Sequence, residues 1–287
     1  MEKLRSLRDA VGYILLFVAV QYLCSLVASY GVLAYFYRMD PGASAEEYVA
    51  FAQAFDSRYG TALLSLSEVI TLAAVWAMGR ARGLGFGAMI GRGRGISQSL
   101  VPWLLLAGLC GNVFVSGAMD LLPFSQALQD SYQQASSALD SSWMLMNVLS
   151  VAVLAPITEE VVFRGLALSR LRQAMPAWLA VLAQGLVFGL IHGQLLWMLY
   201  AVVFGVVLGW VRVKTGSLGA AILLHVGFNV SSFFAGLFYI LAPQNLWGEL
   251  FVCLLGGVGL VACLFQVARQ SRGSSLPLLP GEGEEQA

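Results

Sequence analysis

Apolar residues along this chain come in long runs, and the runs approach the ~20 residues that a helix needs to cross a bilayer. Eight such segments lie near residues 10–36, 61–79, 100–121, 143–172, 177–195, 197–213, 217–240 and 246–267. Polar stretches separate them, among them DLLPFSQALQDSYQQASSALDSS around 122–142. The pattern predicts an all-α polytopic membrane protein with about eight transmembrane helices and its functional site inside the bundle. In order it gives an N-terminal membrane region of about three spans and polar loops (1–139), four spans within 140–240, a last span (241–267) and a tail (268–287). The tail mixes Gly, Pro, Ser and Glu and is expected to be disordered.

Composition agrees with this pattern. Hydrophobic residues make up 59%, charged residues 11%, and the mean hydropathy is +0.77; soluble domains carry about 25% charged residues. The formal net charge is zero, and there is no basic stripe, zinc knuckle or phosphate loop, so nucleic acid is not an expected partner. The lipid bilayer is. With the N-terminus inside, all Lys and Arg except Arg38 and Arg58 fall at or near the cytoplasmic side, which predicts cytoplasmic N- and C-termini. The run after MEKLRSLR is too long for a cleaved leader and reads as a retained first span. RARGLGFGAMIGRGRG, residues 80–95, reads as a topology determinant near anionic headgroups or as a docking strip for a substrate or partner. Cys24, Cys110, Cys253 and Cys263 sit in apolar runs without CxxC spacing and read as packing residues. Gly185, Gly189, Gly205 and Gly209, four apart in pairs, predict close helix packing. Trp103, Trp143, Trp178, Trp210 and Trp247 near span ends read as interface anchors.

Ionisable side chains inside spans are costly and mark function. The spans hold Glu68, Glu159, Glu160, Arg164, His192 and His225, together with the amide Asn229. In PITEEVVFRG, residues 156–165, Glu160 and Arg164 stack at i and i+4 and offset each other's burial. Glu159 projects about 100° away and is left free. Counted from the cytoplasmic ends of their spans, Glu159, His192 and His225 lie about 20, 22 and 16 Å deep at ~1.5 Å per residue, with Asn229 one turn beyond His225. Three helices thus bring polar groups to a similar depth, near mid-membrane and reachable from the cytoplasmic side. Glu68, in SLSEVITL, is either an accessory of that site or a helix-helix hydrogen bond.

These groups suit amide hydrolysis. A carboxylate and an imidazole can hold a water and take its proton; a second imidazole and a carboxamide can donate to the oxygen of a tetrahedral intermediate. Nothing marks Ser169 or Thr158 as an activated nucleophile. Glu159, His192 and His225 are also a possible zinc set, although HExxH is absent. No cofactor is required by the first reading; a divalent metal such as zinc is required by the second. Two other classes stay open: a proton-coupled transporter, for which no inverted repeat is visible, and a catalytically silent immunity or partner-binding protein.

Glu159-Glu160-x-x-x-Arg164, Phe188-x-x-x-His192 and His225-x-x-x-Asn229, in that order and each on its own span, resemble the three motifs of the CPBP family. That family comprises the CAAX prenyl endopeptidases and their prokaryotic relatives, also called Abi. The resemblance covers roughly residues 140–240. It implies an eight-helix intramembrane protease open to the cytosol, in a prokaryotic inner or plasma membrane, acting on a peptide or protein substrate. Carried over, Glu159 with His192 would activate water, and His225 with Asn229 would stabilise the oxyanion. Glu160 and Arg164 would hold the geometry, and Phe188 would pack beside His192. The family has often been described as metallopeptidases, although a glutamate mechanism fits these residues better. The resemblance leaves the substrate open among prenylated tails, bacteriocin-like peptides and C-terminal sorting tails.

Overall fold

The computed structural model describes residues 1–137, 143–234, 237, 240 and 245–272. These form α1 (Glu2–Met39), α2 (Ala45–Ala81), α3 (Val101–Leu121), α4 (Gln126–Ser137), α5 (Met144–Ala174), α6 (Ala177–Leu190), α7 (Leu195–Thr215), α8 (Leu218–Ser232) and α9 (Leu246–Gln270). The protein is an all-α polytopic membrane protein, and its helices α1, α2, α5, α7, α9 and the stretch Gln98–Leu121 are long and apolar enough to cross a bilayer. Their outer faces carry exposed Leu, Val, Phe and Trp side chains such as Trp76, Val203, Leu254 and Phe265, as lipid contact requires.

Among the described residues, each of the eight expected segments holds an apolar helix; six of these helices are of spanning length, and α6 and α8 are shorter. They have 14 and 15 residues, about 21–22 Å at ~1.5 Å per residue, against a hydrocarbon core of about 30 Å. The expected fifth and sixth spans left a single residue to connect them. The chain instead uses residues 191–194 as a turn: Gly193 takes φ +72, and the Gln194 side chain accepts the Trp197 N–H at 2.9 Å to cap α7. In the opposite sense, α2 begins 16 residues before the expected start at 61. Ser44 accepts the Glu47 N–H at 3.2 Å, and the Glu47 carboxylate takes the Ser44 N–H at 2.7 Å. This reciprocal cap nucleates the helix in polar sequence. The expected loop at 122–142 contains α4, whose Tyr132 meets Trp197 edge to face at 6.1 Å. The last helix runs three residues past the expected boundary at 267, and residues 273–287 of the expected tail lie outside the described residues.

Between helices in lipid, association rests on close packing rather than on hydrophobic burial. The glycine pattern serves this: a Cβ on Gly185 or Gly189 would fall 2.8 or 2.7 Å from the backbone N of Val206 or Val202, so α6 and α7 pack backbone to backbone. The four cysteines are free thiols.

One end of the bundle is sealed. Ser6 bonds Gln173 at 2.9 Å and Arg82 bonds Tyr13 at 2.6 Å, which places the N-terminus, the 80–95 loop and the end of α5 together. The arginine-glycine loop folds under the α7–α8 turn: Gly93 bridges Ser217, and Arg94 N–H donates to the Gly216 carbonyl at 2.9 Å. Met89 and Ile90 of this loop are buried among Tyr13, Val161, Leu166 and Leu218.

Candidate active site

α5 carries two glutamates on a helix that changes register twice. Residues Val148–Leu154 and Val161–Ala167 are π-helical, and they bracket the α-helical Ala155–Glu160. Short π segments inside α-helices are frequent at functional sites. The first ends with the Ala155 N–H on the Ser150 carbonyl. Its next donor would be residue 156, a proline, which has none. The Val151 carbonyl is therefore open, and the Asn229 amide of α8 donates to it at 2.8 Å. The second ends with the Leu168 N–H on the Phe163 carbonyl. The carbonyl one residue further on, Arg164, accepts from Arg212 Nε of α7 at 3.4 Å. In both places a side chain from a neighbouring helix occupies the gap that the register change leaves.

Glu160 is the centre of the polar cluster. Its Oε1 accepts from Arg164 Nη1 at 2.7 Å and lies 2.9 Å from His225 Nδ1; Glu160 and Arg164 have no solvent exposure. The pairing of Glu160 with Arg164 follows the sequence expectation, and the contact with His225 was not expected. Arg164 Nη2 also donates to the Gly205 carbonyl at 3.0 Å, and its Cζ sits 4.3 Å over the Phe188 ring. The Gly205 carbonyl takes a second bond from Gln184 Nε2 at 2.8 Å. Both terminal nitrogens of the buried guanidinium thus have an acceptor and its face a π-cloud, which offsets the burial of its charge, while Nε has no hydrogen-bond partner.

Glu159 points elsewhere. Its side chain keeps 17% exposure, and its Oε2 stands 3.8 Å from His225 Nε2. The structure therefore sets Glu159 beside His225, where the sequence expectation paired it with His192. The Phe188 ring touches both imidazoles edge to face, at 5.0 Å for His192 and 5.9 Å for His225. His192 stands on the turn after α6, not within a span, with Nδ1 2.7 Å from the Phe188 carbonyl. Because that carbonyl only accepts, His192 carries its proton on Nδ1 and presents Nε2 outward. The same reasoning applies to His225: Glu160, held as a carboxylate by Arg164, fixes a proton on Nδ1 and leaves Nε2 toward Glu159.

Glu159, His192 and His225 are not drawn into a ligand set; among the described residues no three His, Cys, Asp or Glu side chains converge to hold a metal ion. Glu68 on α2 is 1% exposed and bonded by Gln21 Nε2 at 2.8 Å, which is a helix-helix hydrogen bond. Arg212 and Gln184 were missed by the sequence reading. Arg212, assigned to the cytoplasmic rim, is fully buried and also bonds the Gly91 carbonyl. Its signal was a lone arginine in the apolar run VVLGWVRV.

No solved structure matches the chain. A curated protein of Escherichia coli described as "Uncharacterized 24.3 kDa protein" is 29% identical over 133 residues, 44% of this chain and 59% of that relative's length. Residues 141–231, which supply every member of the motif cluster, match the family model described as Type II CAAX prenyl endopeptidase Rce1-like, and this match bears out the resemblance carried by the three motifs.

Proposed function

We propose that this chain is an intramembrane endopeptidase that hydrolyses a peptide bond of a membrane-associated or C-terminal-tail substrate with a glutamate-activated water. The family match supports peptidase chemistry, and the line Arg164–Glu160–His225–Glu159 carries the mechanism. A free carboxylate faces an imidazole whose far nitrogen is fixed by a second, charge-paired carboxylate.

Glu159 takes a proton from water as the oxygen attacks the peptide carbonyl. His225 Nε2, 3.8 Å away, receives that proton and becomes an imidazolium, which Glu160 stabilises through Nδ1. The new Nε2–H then donates to the oxyanion, joined by the second amide hydrogen of Asn229, whose first is held by the Val151 carbonyl. His192, with Nε2 free, steadies the attacking water. Collapse of the intermediate returns the proton to the leaving amine, and the products are a new carboxyl terminus and a new amino terminus. No step requires a metal ion.

The test compares protein and peptide termini in native membranes carrying wild type or Glu159→Gln at matched levels. Loss of a general base costs about 10²–10⁴ in rate, so new C-termini should appear with the wild type and vanish in the variant. Their sequence would identify the substrate class. Undiminished cleavage by Glu159→Gln would refute the mechanism.

A further inference from the structure

Arg212 belongs to none of the three motifs, yet burying a guanidinium is costly and needs a reason. It has no solvent exposure, and it donates to two main-chain carbonyls: Nε to Arg164 at 3.4 Å and Nη2 to Gly91. The first of these bonds completes a two-point hold on Arg164. α7 takes the Arg164 side chain at the Gly205 carbonyl, 3.0 Å from Nη2, and seven residues further along it reaches the Arg164 backbone through Arg212. Seven residues are two turns, about 10 Å along one face of α7. Arg164 is therefore pinned at both ends, with Nη1 left to meet Glu160 at 2.7 Å.

The second bond ties in the arginine-glycine loop. Gly91 takes φ +54 and packs so closely on α5 that a Cβ there would fall 3.2 Å from Ser169 Oγ and 3.4 Å from the Gly165 carbonyl oxygen. A Cβ on Gly165 would in turn fall 2.7 Å from the Ile90 carbonyl oxygen. The same loop reaches the start of α8, where the Leu218 N–H donates to the Arg92 carbonyl at 3.2 Å. Arg212 thus sits where α5, the loop and the α7–α8 turn meet. Glu160 directly precedes the second π segment of α5, which contains Arg164, and His225 lies seven residues after Leu218. If that π segment returned to plain α register, everything before it would turn by about 100° relative to everything after it. Glu160 would then leave the His225 Nδ1 that it meets at 2.9 Å.

We infer that Arg212 is a positioning residue: by bridging the Arg164 and Gly91 carbonyls it holds the second π segment in its register and so keeps Glu160 on His225. The effect on turnover rests on the hydrolase reading; the effect on His225 does not.

The protein has two histidines, so ring-nitrogen NMR of the histidine-labelled full chain in detergent resolves each of them, and His192→Ala assigns the signals. In wild type both rings should show the Nδ1–H tautomer. Arg212→Met keeps much of the bulk and removes the donors; its His225 signal should move to a mixture of tautomers, while His192, held by the Phe188 carbonyl, stays. An unchanged His225 in the folded variant would overturn the inference, and so would an equal change at both rings, which is what general loosening produces. Should Arg212→Met fail to fold, Gly93→Ala carries the test: its Cβ would fall 2.7 Å from Arg212 Nη1, and it should give the same selective change to a smaller extent. Turnover supplies a second reading. A misplacement of about 1 Å costs about 100-fold, so on the substrate identified above kcat of Arg212→Met should fall by about 10- to 100-fold with KM unchanged, and Arg212→Lys, which restores a donor, should regain part of the loss. An unchanged kcat would overturn the bearing of Arg212 on catalysis. Wild-type protein that cleaves nothing would refute the hydrolase reading and leave the histidine spectra to judge Arg212.

Discussion

Replacing Glu160 by glutamine removes the charge that Arg164 and His225 share, and the consequence for stability is calculable from the contacts. Arg164 has no exposure, and its shortest bond is the one to Glu160 at 2.7 Å. Breaking a buried ion pair by deleting one partner costs about 3–5 kcal/mol, because the survivor stays buried and uncompensated. Arg164 retains the Gly205 carbonyl at 3.0 Å and the Phe188 ring at 4.3 Å, which places Glu160→Gln near the lower end. A loss of about 3 kcal/mol is roughly a 150-fold rise in unfolded population at ~1.4 kcal/mol per tenfold. Glu159→Gln removes a partly exposed carboxylate with no cation against it, so its stability should equal or exceed that of wild type. The two variants should both lose cleavage while separating in stability. Unfolding titrations of purified wild type and both variants in one detergent measure this. Glu160→Gln as stable as wild type would refute the structural role of Glu160 and make it a candidate for the reacting carboxylate.

Two further outcomes follow from the helix contacts. Asn229→Ala orphans the Val151 carbonyl and should destabilise by about 1–3 kcal/mol; in a Pro156→Ala background, where the helix regains an N–H for that gap, the same change should cost less, and a double-mutant cycle showing no coupling would contradict the account of the π segment. Gly189→Ala drives a Cβ to 2.7 Å from the Val202 backbone N, so it should part α6 from α7, cost about 1–3 kcal/mol and lower cleavage by moving His192; unfolding and terminus analysis read both, and wild-type behaviour would show that the close approach is not needed.

What the sequence disclosed was whatever a local rule could reach. Glu160 and Arg164 are four apart on one helix, and the i,i+4 rule pairs them. His192, His225 and Asn229 stood out because ionisable or amide groups are rare in apolar runs. The partner of His225 was out of reach: its bond to Glu160 joins α8 to α5 across 65 residues, and it depends on how two register changes aim the glutamates. Pro156 was visible in the sequence, but its effect was not, since a proline near an α-helical start is ordinarily harmless. The shortness of α6 was out of reach for a related reason. Hydropathy reports where a chain is apolar and says little about where it turns, so the 191–194 turn was absorbed into neighbouring spans. Ser44 and Glu47 did spell a capping box, three residues apart, and apolar-run counting passed over it.

The two short helices also bear on the surrounding lipid. α6 and α8 span only about 21–22 Å at ~1.5 Å per residue, while α7 beside them has 21 residues, about 31 Å by the same rise. Of the two short helices, α6 faces lipid through Trp178, Leu182, Leu186 and Leu190, whereas no large apolar side chain of α8 is exposed, so the sector around α6 presents a shorter apolar face than α7 does. Acyl chains next to that sector must shorten, tilt or draw the headgroups inward, at fractions of a kcal/mol per Å of mismatch. His192 lies in that sector. Bilayer thickness thus reaches the candidate site: thick membranes press a larger deformation against the 191–194 turn than thin ones do, and the lipid environment becomes a setting of that site rather than its mere solvent.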